Sequence, residues 1–376
     1  MTSIRRLFRP QQMRELILLL ILILVIFFFG TQIEGYFSPR TFNRIASTVA
    51  LITVVAVGQT LVILTRNVDL SVGSIAGFTA FFIGSQFATR GDIHPVIAVA
   101  MALGVGALMG MVNGLLVAYG RVPSIVVTLG TLAIYRGMLV EYSGSQSIAT
   151  RQLPDWIKEL PQMSVVRVGD WELGALPAIA IVAVMLFQLI LMYTSFGRRL
   201  YAVGSSPEAA ELAGIPARRL VFMAFTLSGA LAGLGGFVYL ARIGTITSVA
   251  AQGLELQVVA AAVVGGVSTL GGSGSVVGAL LGAVLVGTIE QSLIRMRINE
   301  FWKDALMGLF ILVAVTTDSL MMNRLRTWWA TRKSTPPLIP LPATQGGDTP
   351  SLRSGEGRGG VSSDASGTSS NKEVKL

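Results

Sequence analysis

Few side chains in this sequence could do covalent chemistry. There is no cysteine and a single histidine, His94, which removes thiol nucleophiles, disulfide frameworks, iron–sulfur clusters and zinc sites built from several Cys and His ligands. No Gly-Lys pair occurs, so the phosphate cradle and lysine of a P-loop are missing. The interiors of the best apolar runs contain no carboxylate, and Glu290 and Asp304 fall near run ends as interfacial charges. Proton relays through a membrane are therefore poorly served. What remains is hydrogen-bonding chemistry inside or beside apolar runs: Gln59, Asn67, Asp69, Asn113, Thr128, Thr131 and Arg136. These can donate to, or accept from, the hydroxyls of a passing solute. Each also has a plainer role. Asp69 can cap a helix beginning at Leu70, and Gln59 and Asn113 can bond between helices.

A second set of residues suits docking. The segment 197–219 reads GRRLYAVGSSPEAAELAGIPARR. Ser206 suits an N-cap, with Pro207 at the first helical position. Glu208 and Glu211 complement the positive end of the helix dipole, and Gly214 suits a left-handed stop before Pro216. A helix this short is marginal alone in water, so something is expected to pack against it.

The elements that position these residues are membrane spans. Of 376 residues, 52% are hydrophobic and 13% charged, and the mean hydropathy is +0.67. One water-soluble core cannot absorb that much apolar surface, so the expected class is an all-α integral membrane protein. Apolar runs cover Leu16–Ile33, Ile45–Thr65, Leu70–Thr89, Pro95–Gly120, Val122–Val140, Ala175–Phe196 and Leu220–Ala241. The uncharged run Leu256–Ile289 is too long for one crossing. The glycine-rich stretch Gly265–Gly274 divides it into two spans, and a short run Ala305–Thr317 completes a bundle of about ten helices.

The net charge of +9 comes mostly from arginines scattered between these runs, which read as topology signals rather than a nucleic-acid surface. Arg5, Arg6, Arg9 and Arg14 before the first run, and Arg324, Arg326, Arg332 and Lys333 after the last, place both termini in the cytoplasm. The loop 197–219 lies on the same side and the loop 141–173 outside. Arg295 and Arg297 fall outside on this count, against the rule. The first run is longer than a signal-peptide core and reads as a retained helix. The expected organisation is a basic arm over 1–14, a transmembrane domain over 15–322, and over 323–376 a basic juxtamembrane segment and a disordered, dispensable tail. Gly106, Gly110 and Gly114, Gly229 and Gly233, and Gly274, Gly278 and Gly282 mark faces for close helix packing within one subunit. Asn67–Gly77 and Val267–Gly278 share a faint likeness, each a polar Ser/Gly break leading into an apolar helix.

Glu208-Ala209-Ala210, three residues and then Gly214 resemble the EAA-xxx-G coupling helix of ABC importer permeases, which sits in a cleft of the ATPase subunit. The segments 67–74 (NVDLSVGS), 127–131 (VTLGT) and 265–274 (GGVSTLGGSG) are similar to the branch importing ribose, xylose, arabinose, rhamnose and autoinducer-2. Thr65-Arg66-Asn67-Val68-Asp69 and 129–137 (LGTLAIYRG) are closest in pattern to the autoinducer-2 and rhamnose permeases. Sugar permeases more often carry two glycines where this chain has Arg66-Asn67, and Gly-x-Asn where it has Gly204-Ser205-Ser206. The likeness covers roughly Glu15 to Asp318.

The resemblance implies a multi-pass bacterial inner-membrane permease that is not itself an enzyme and holds no cofactor or metal. Its partners would be a cytosolic ABC ATPase that binds the ATP, a periplasmic solute-binding protein, and a second permease copy, identical or related. Membrane lipid would surround it, with no nucleic acid involved. The cargo would be a small monosaccharide-like solute such as rhamnose, ribose or autoinducer-2. Pro207, Glu208, Ala209, Ala210, Glu211 and Gly214 would couple to the ATPase, while Asn67, Asp69, Asn113, Thr128, Thr131 and Arg136 are candidates for the path. The rival reading is an ion-coupled secondary transporter.

Overall fold

Apolar runs of this length must satisfy their own backbone in lipid, and helices do so within one segment. The computed structural model describes residues 10–299, apart from 169–170, and a few positions between 302 and 316. Five helices follow one another: α1 (Pro10–Gln32), α2 (Pro39–Leu64), α3 (Val72–Arg90), α4 (Pro95–Ala118) and α5 (Ser124–Ser143). The loop after α5 holds a short helix α6 (Asp155–Glu159) and an antiparallel hairpin, β1 (Ser164–Val168) with β2 (Trp171–Gly174), in which Arg167 and Glu172 pair at 2.6 Å. Next come α7 (Ala175–Tyr193), α8 (Ser195–Ser205), α9 (Pro207–Leu212), α10 (Ala217–Ile243), α11 (Leu254–Val264) and α12 (Val276–Arg295).

Helix starts follow local chemistry. Proline stands at the first turn of α2, α4 and α9, where its missing N–H leaves nothing unpaired. His94 caps α4, its Nδ1 accepting from the Val96 amide at 3.3 Å. Among the described residues, α2, α3, α4, α5, α7, α10 and α12 are long and apolar enough to cross a membrane, and Leu18–Gln32 of α1 is a shorter apolar helix. The chain is an all-α polytopic membrane protein. The expected run 305–317 and the segment 323–376 lie mostly or wholly outside the described residues, as do residues 1–9 of the expected arm 1–14, whose residues 10–14 instead begin α1.

The run 256–289 divides, as expected, into two helices that flank the glycine-rich break, α11 and α12, and they differ in length. The glycine-rich break falls where expected, but α11 has 11 residues and is about 16 Å long, half the roughly 30 Å hydrocarbon core. The nonhelical segment 244–253 precedes α11. Ile246 pairs with Ile148, which rests against Gly84 of α3, while the carbonyls of Ala250 and Ala251 lie over Gly77 and Gly73. From Gly84 to Gly73 is eleven residues of α3, again about 16 Å. Together the nonhelical segment and the half-length helix are long enough for one irregular crossing, in which Gly244, Ile246, Ala250 and Ala251 are buried while Thr245, Thr247, Val249 and Gln252 are exposed.

Inside lipid, apolar burial gives helices little reason to associate, so close packing must do it. Helix α2 is the hub, buried continuously from Thr48 to Thr65 against α7, α10, α11 and α12. Helices α4 and α10 meet glycine to glycine. A Cβ added to Gly106 would lie 2.8 Å from Gly233 Cα, and one on Gly110 would lie 2.8 Å from Gly229 Cα. Gly278 and Gly282 do the same for α12 against Gly265 and Ala261. These faces pack within the one chain, as expected. Leu108, Leu115 and Leu116 of α4, Ile125 and Val126 of α5, and Val182, Leu186 and Leu189 of α7 stay exposed, an apolar surface suited to lipid.

Candidate functional site

The helix α9 is built as its residues dictate. Ser206 is extended (φ −156°, ψ 101°), and its hydroxyl accepts from the Ala209 amide at 3.3 Å and donates to Glu208 at 3.2 Å. Gly214 (φ 72°) closes the other end: its amide bonds Glu211 O at 2.9 Å while the Ile215 amide bonds Ala210 O at 2.9 Å. Its own backbone amide, then the Ser206 hydroxyl and the nearby charge of Arg66, hold the Glu208 carboxyl below the ordinary carboxylate range. Ala210 turns inward and is buried, whereas Glu208, Ala209, Glu211 and Gly214 are exposed and Pro207 is half-buried. Leu212 is 91% exposed. An apolar side chain projecting from a polar helix, away from the lipid-facing surface, is what a protein partner would cover.

Beneath α9 three segments meet backbone to backbone. The end of α2 touches the end of α8 and the turn at Gly271 and Gly272. The Gly272 amide donates to Leu64 O at 3.0 Å, and Gly204 is so close to Leu64 O and the Gly272 backbone that no Cβ fits there. Arg66 spans the joint, donating from Nε to Gly204 O at 2.7 Å and from Nη2 to Ser205 O at 2.8 Å. The three motifs that stood apart in the sequence, TRNVD, GGVSTLGG and SSPEAAELAG, thus converge.

From the joint a strap, residues 65–71, runs into the bundle. Asn67 Nδ2 donates to Thr65 O at 2.9 Å, folding the strap on itself. Ser124 Oγ accepts from the Val68 amide at 3.3 Å, and Thr128 Oγ1 donates to Val68 O at 3.4 Å, tying the strap to α5. Gln59, with its amide turned to suit both partners, donates to Asp69 O at 3.1 Å and accepts from its amide at 3.2 Å. The Asp69 carboxylate accepts from the Ser71 amide at 3.0 Å and hydroxyl at 2.7 Å, and Asn113 Nδ2 of α4 donates to Ser71 Oγ at 2.7 Å. Asp69 does not cap a helix at Leu70: Ser71 holds the N-cap position and α3 begins at Val72. Thr131 lies one turn beyond Thr128, buried, its hydroxyl donating to Thr128 O at 3.4 Å.

Five of the six path candidates therefore gather around one strap, and Asp69, Asn113, Thr128 and Thr131 are all buried. Arg136 stands apart. It reaches from α5 to the irregular crossing, donating from Nη1 to Ala250 O at 2.6 Å. Glu255, in the first turn of α11, shares that region; one oxygen accepts from the Gly253 amide at 3.3 Å and the other lies against Gly73. Glu255 escaped the sequence reading because the uncharged run was counted from the next residue. Leu212 was passed over too, a leucine in a polar helix, and Arg66 was noted only as a departure from the pattern of sugar permeases.

At the opposite end of the bundle from α9, a cleft of about 680 Å³ opens beside the hairpin, lined by Arg40, Arg44, Glu172, Arg242 and Gln291 among others. No group of His, Asp and Glu among the described residues is placed to hold a metal ion.

Comparison with known proteins adds the family. Residues 41–315 match the model described as "Branched-chain amino acid transport system / permease component", which covers most of the helices above. The chain belongs to this permease family. Similar proteins include the permease LsrC of the "Autoinducer 2 import system" from Escherichia coli O157:H7, 37% identical over 316 residues, 83% of this chain and 90% of the relative. LsrC of Shigella flexneri is 36% identical over 83% of this chain and 90% of its own, and that of Salmonella typhi 36% over 82% and 86%. No solved structure matches significantly. This permease is accordingly a multi-pass inner-membrane component of an ABC import system, within the branch that the sequence motifs indicated.

Proposed function

We propose that this permease moves a small polyhydroxylated solute inward, autoinducer-2 or a monosaccharide such as rhamnose or ribose, using ATP bound and hydrolysed by a cytosolic partner. The observation that carries the reading is α9, a capped helix with an exposed outer face seated on a three-way backbone joint. The likeness to LsrC over most of both chains supports the solute class. On this reading α9 and both termini face the cytoplasm, and the subunit supplies no catalysis and needs no cofactor. The arginine-lined cleft at the other end receives a periplasmic solute-binding protein, and a second permease copy, identical or related, completes the transporter. The strap and the irregular crossing border the path. Asn67, Asp69, Asn113, Thr128 and Thr131 set the strap's position, and Arg136 with Glu255 offers polar contacts to hydroxyls at mid-membrane.

ATP-driven closure of the partner would displace α9 and switch the bundle between outward-open and inward-open states. The test is uptake of labelled autoinducer-2, rhamnose and ribose into vesicles containing the permease with its ATPase and binding protein. ATP-dependent uptake, lost when Glu208 and Gly214 are both replaced while membrane insertion persists, is the expected result. Uptake driven by an ion gradient alone would establish the secondary-transporter reading instead.

A further inference from the structure

We propose that Arg66 is the pin through which the α8–α9 loop moves the strap 65–71 and, through the strap, α3, α4 and α5. The inference rests on the importer reading and goes beyond it by naming the residue that passes the motion on. Its geometry is specific. The guanidinium holds the last carbonyls of α8, Gly204 O and Ser205 O, at the point where the chain enters α9. A cation there also complements the negative end of the α8 dipole. Arg66 itself sits at φ 65°, a left-handed conformation that an L side chain adopts only at a cost. The turn beside it is built to admit it, since a Cβ on Gly271 would lie 3.1 Å from the Arg66 amide.

The far side of the pin is equally well tied. Within five residues of Arg66 the chain is bonded to Ser124 and Thr128 of α5, to Gln59 of α2, and through Ser71 to Asn113 of α4. The bonds at Asp69, Ser71 and Asn113 are buried and those at Val68 half-buried, so slack along this polar chain is costly. A displacement of α8 and α9 is therefore passed first to the end of the buried hub helix and then to three other helices.

Arg66→Gly is the clean variant, because glycine accepts φ 65° and only the side-chain bonds are lost. The permease is reconstituted in liposomes with its ATPase and binding protein, and autoinducer-2 moved per ATP hydrolysed is measured for wild type, Arg66→Gly and Arg66→Lys. Arg66→Gly is expected to keep hydrolysis while solute moved per ATP falls about tenfold. Arg66→Lys, which keeps the charge and one donor, recovers part of it. An unchanged ratio in Arg66→Gly, or equal loss in both variants, overturns the pin. Hydrogen exchange of the isolated permease gives a second arm: amides of 204–214 should exchange about tenfold faster in Arg66→Gly. Equal protection there overturns it as well. The exchange arm needs no partner, so a wild-type protein that fails to import counts against the transport reading and not against the pin.

Discussion

Ser206 and Gly214 hold the two ends of α9 by different means, and replacing each should fail differently. Ser206→Ala removes the cap on the Ala209 amide and should weaken the helix by about 1 kcal/mol. Hydrogen exchange over 207–212 would show it, and Ser206→Asp should restore protection. Gly214→Ala leaves the Ser206 cap in place but forces a side chain to φ 72°, which costs on the order of 1 kcal/mol and loosens the stop before Pro216. Because the Glu208 carboxyl is held below the ordinary range, its contact with Ser206 is fully formed above that range and fades only as pH falls through the lowered value. Docking should therefore be flat across neutral pH and weaken only in acid, as binding measurements over pH would register. Leu212→Asp alters only the exposed face. It should reduce ATPase affinity about tenfold with thermal stability unchanged, measured by pull-down titration.

At the scale of elements, the decisive contacts are those between backbones. Helices α4 and α10 touch where Gly106 and Gly110 face Gly229 and Gly233, and neither partner backbone can retreat without opening the bundle. Gly106→Val should cost roughly 3 kcal/mol or more and lower the detergent melting temperature, whereas Gly104→Val, with open space around it, should not. The irregular crossing depends on the same device. Gly73 and Gly77, one turn apart on α3, leave room for the Ala250 and Ala251 carbonyls and for the Arg136 and Glu255 side chains. Such spacing reads in a sequence as ordinary helix packing, since glycine every fourth residue does not say what fills the groove. Helix starts were easier to foresee. Ser206-Pro207 carries its own instruction within one turn, and α9 begins and ends as its residues require.

For the whole molecule, the joint beneath α9, the strap and the half-crossing align along α2 and α3. The transport reading asks that movement at one end alter access at the other. The tail 334–376 lies outside the described residues. Removing residues 334–376 should leave vesicle uptake within about twofold of wild type, and a larger loss would assign the tail a role. By itself the sequence determined the membrane class, the span order, the capped helix and the family motifs. Each depends on residues a few positions apart, through apolar length, a cap or a glycine stop. Only the tertiary structure decided that Arg66 reaches across 138 residues to Gly204, that Asp69 and Asn113 belong to one buried chain, and that 244–264 joins a nonhelical segment to a half-length helix. Those outcomes depend on which backbones approach closely and which buried polar groups find partners. Both are properties of packed neighbours distant in the chain, and local composition does not carry them.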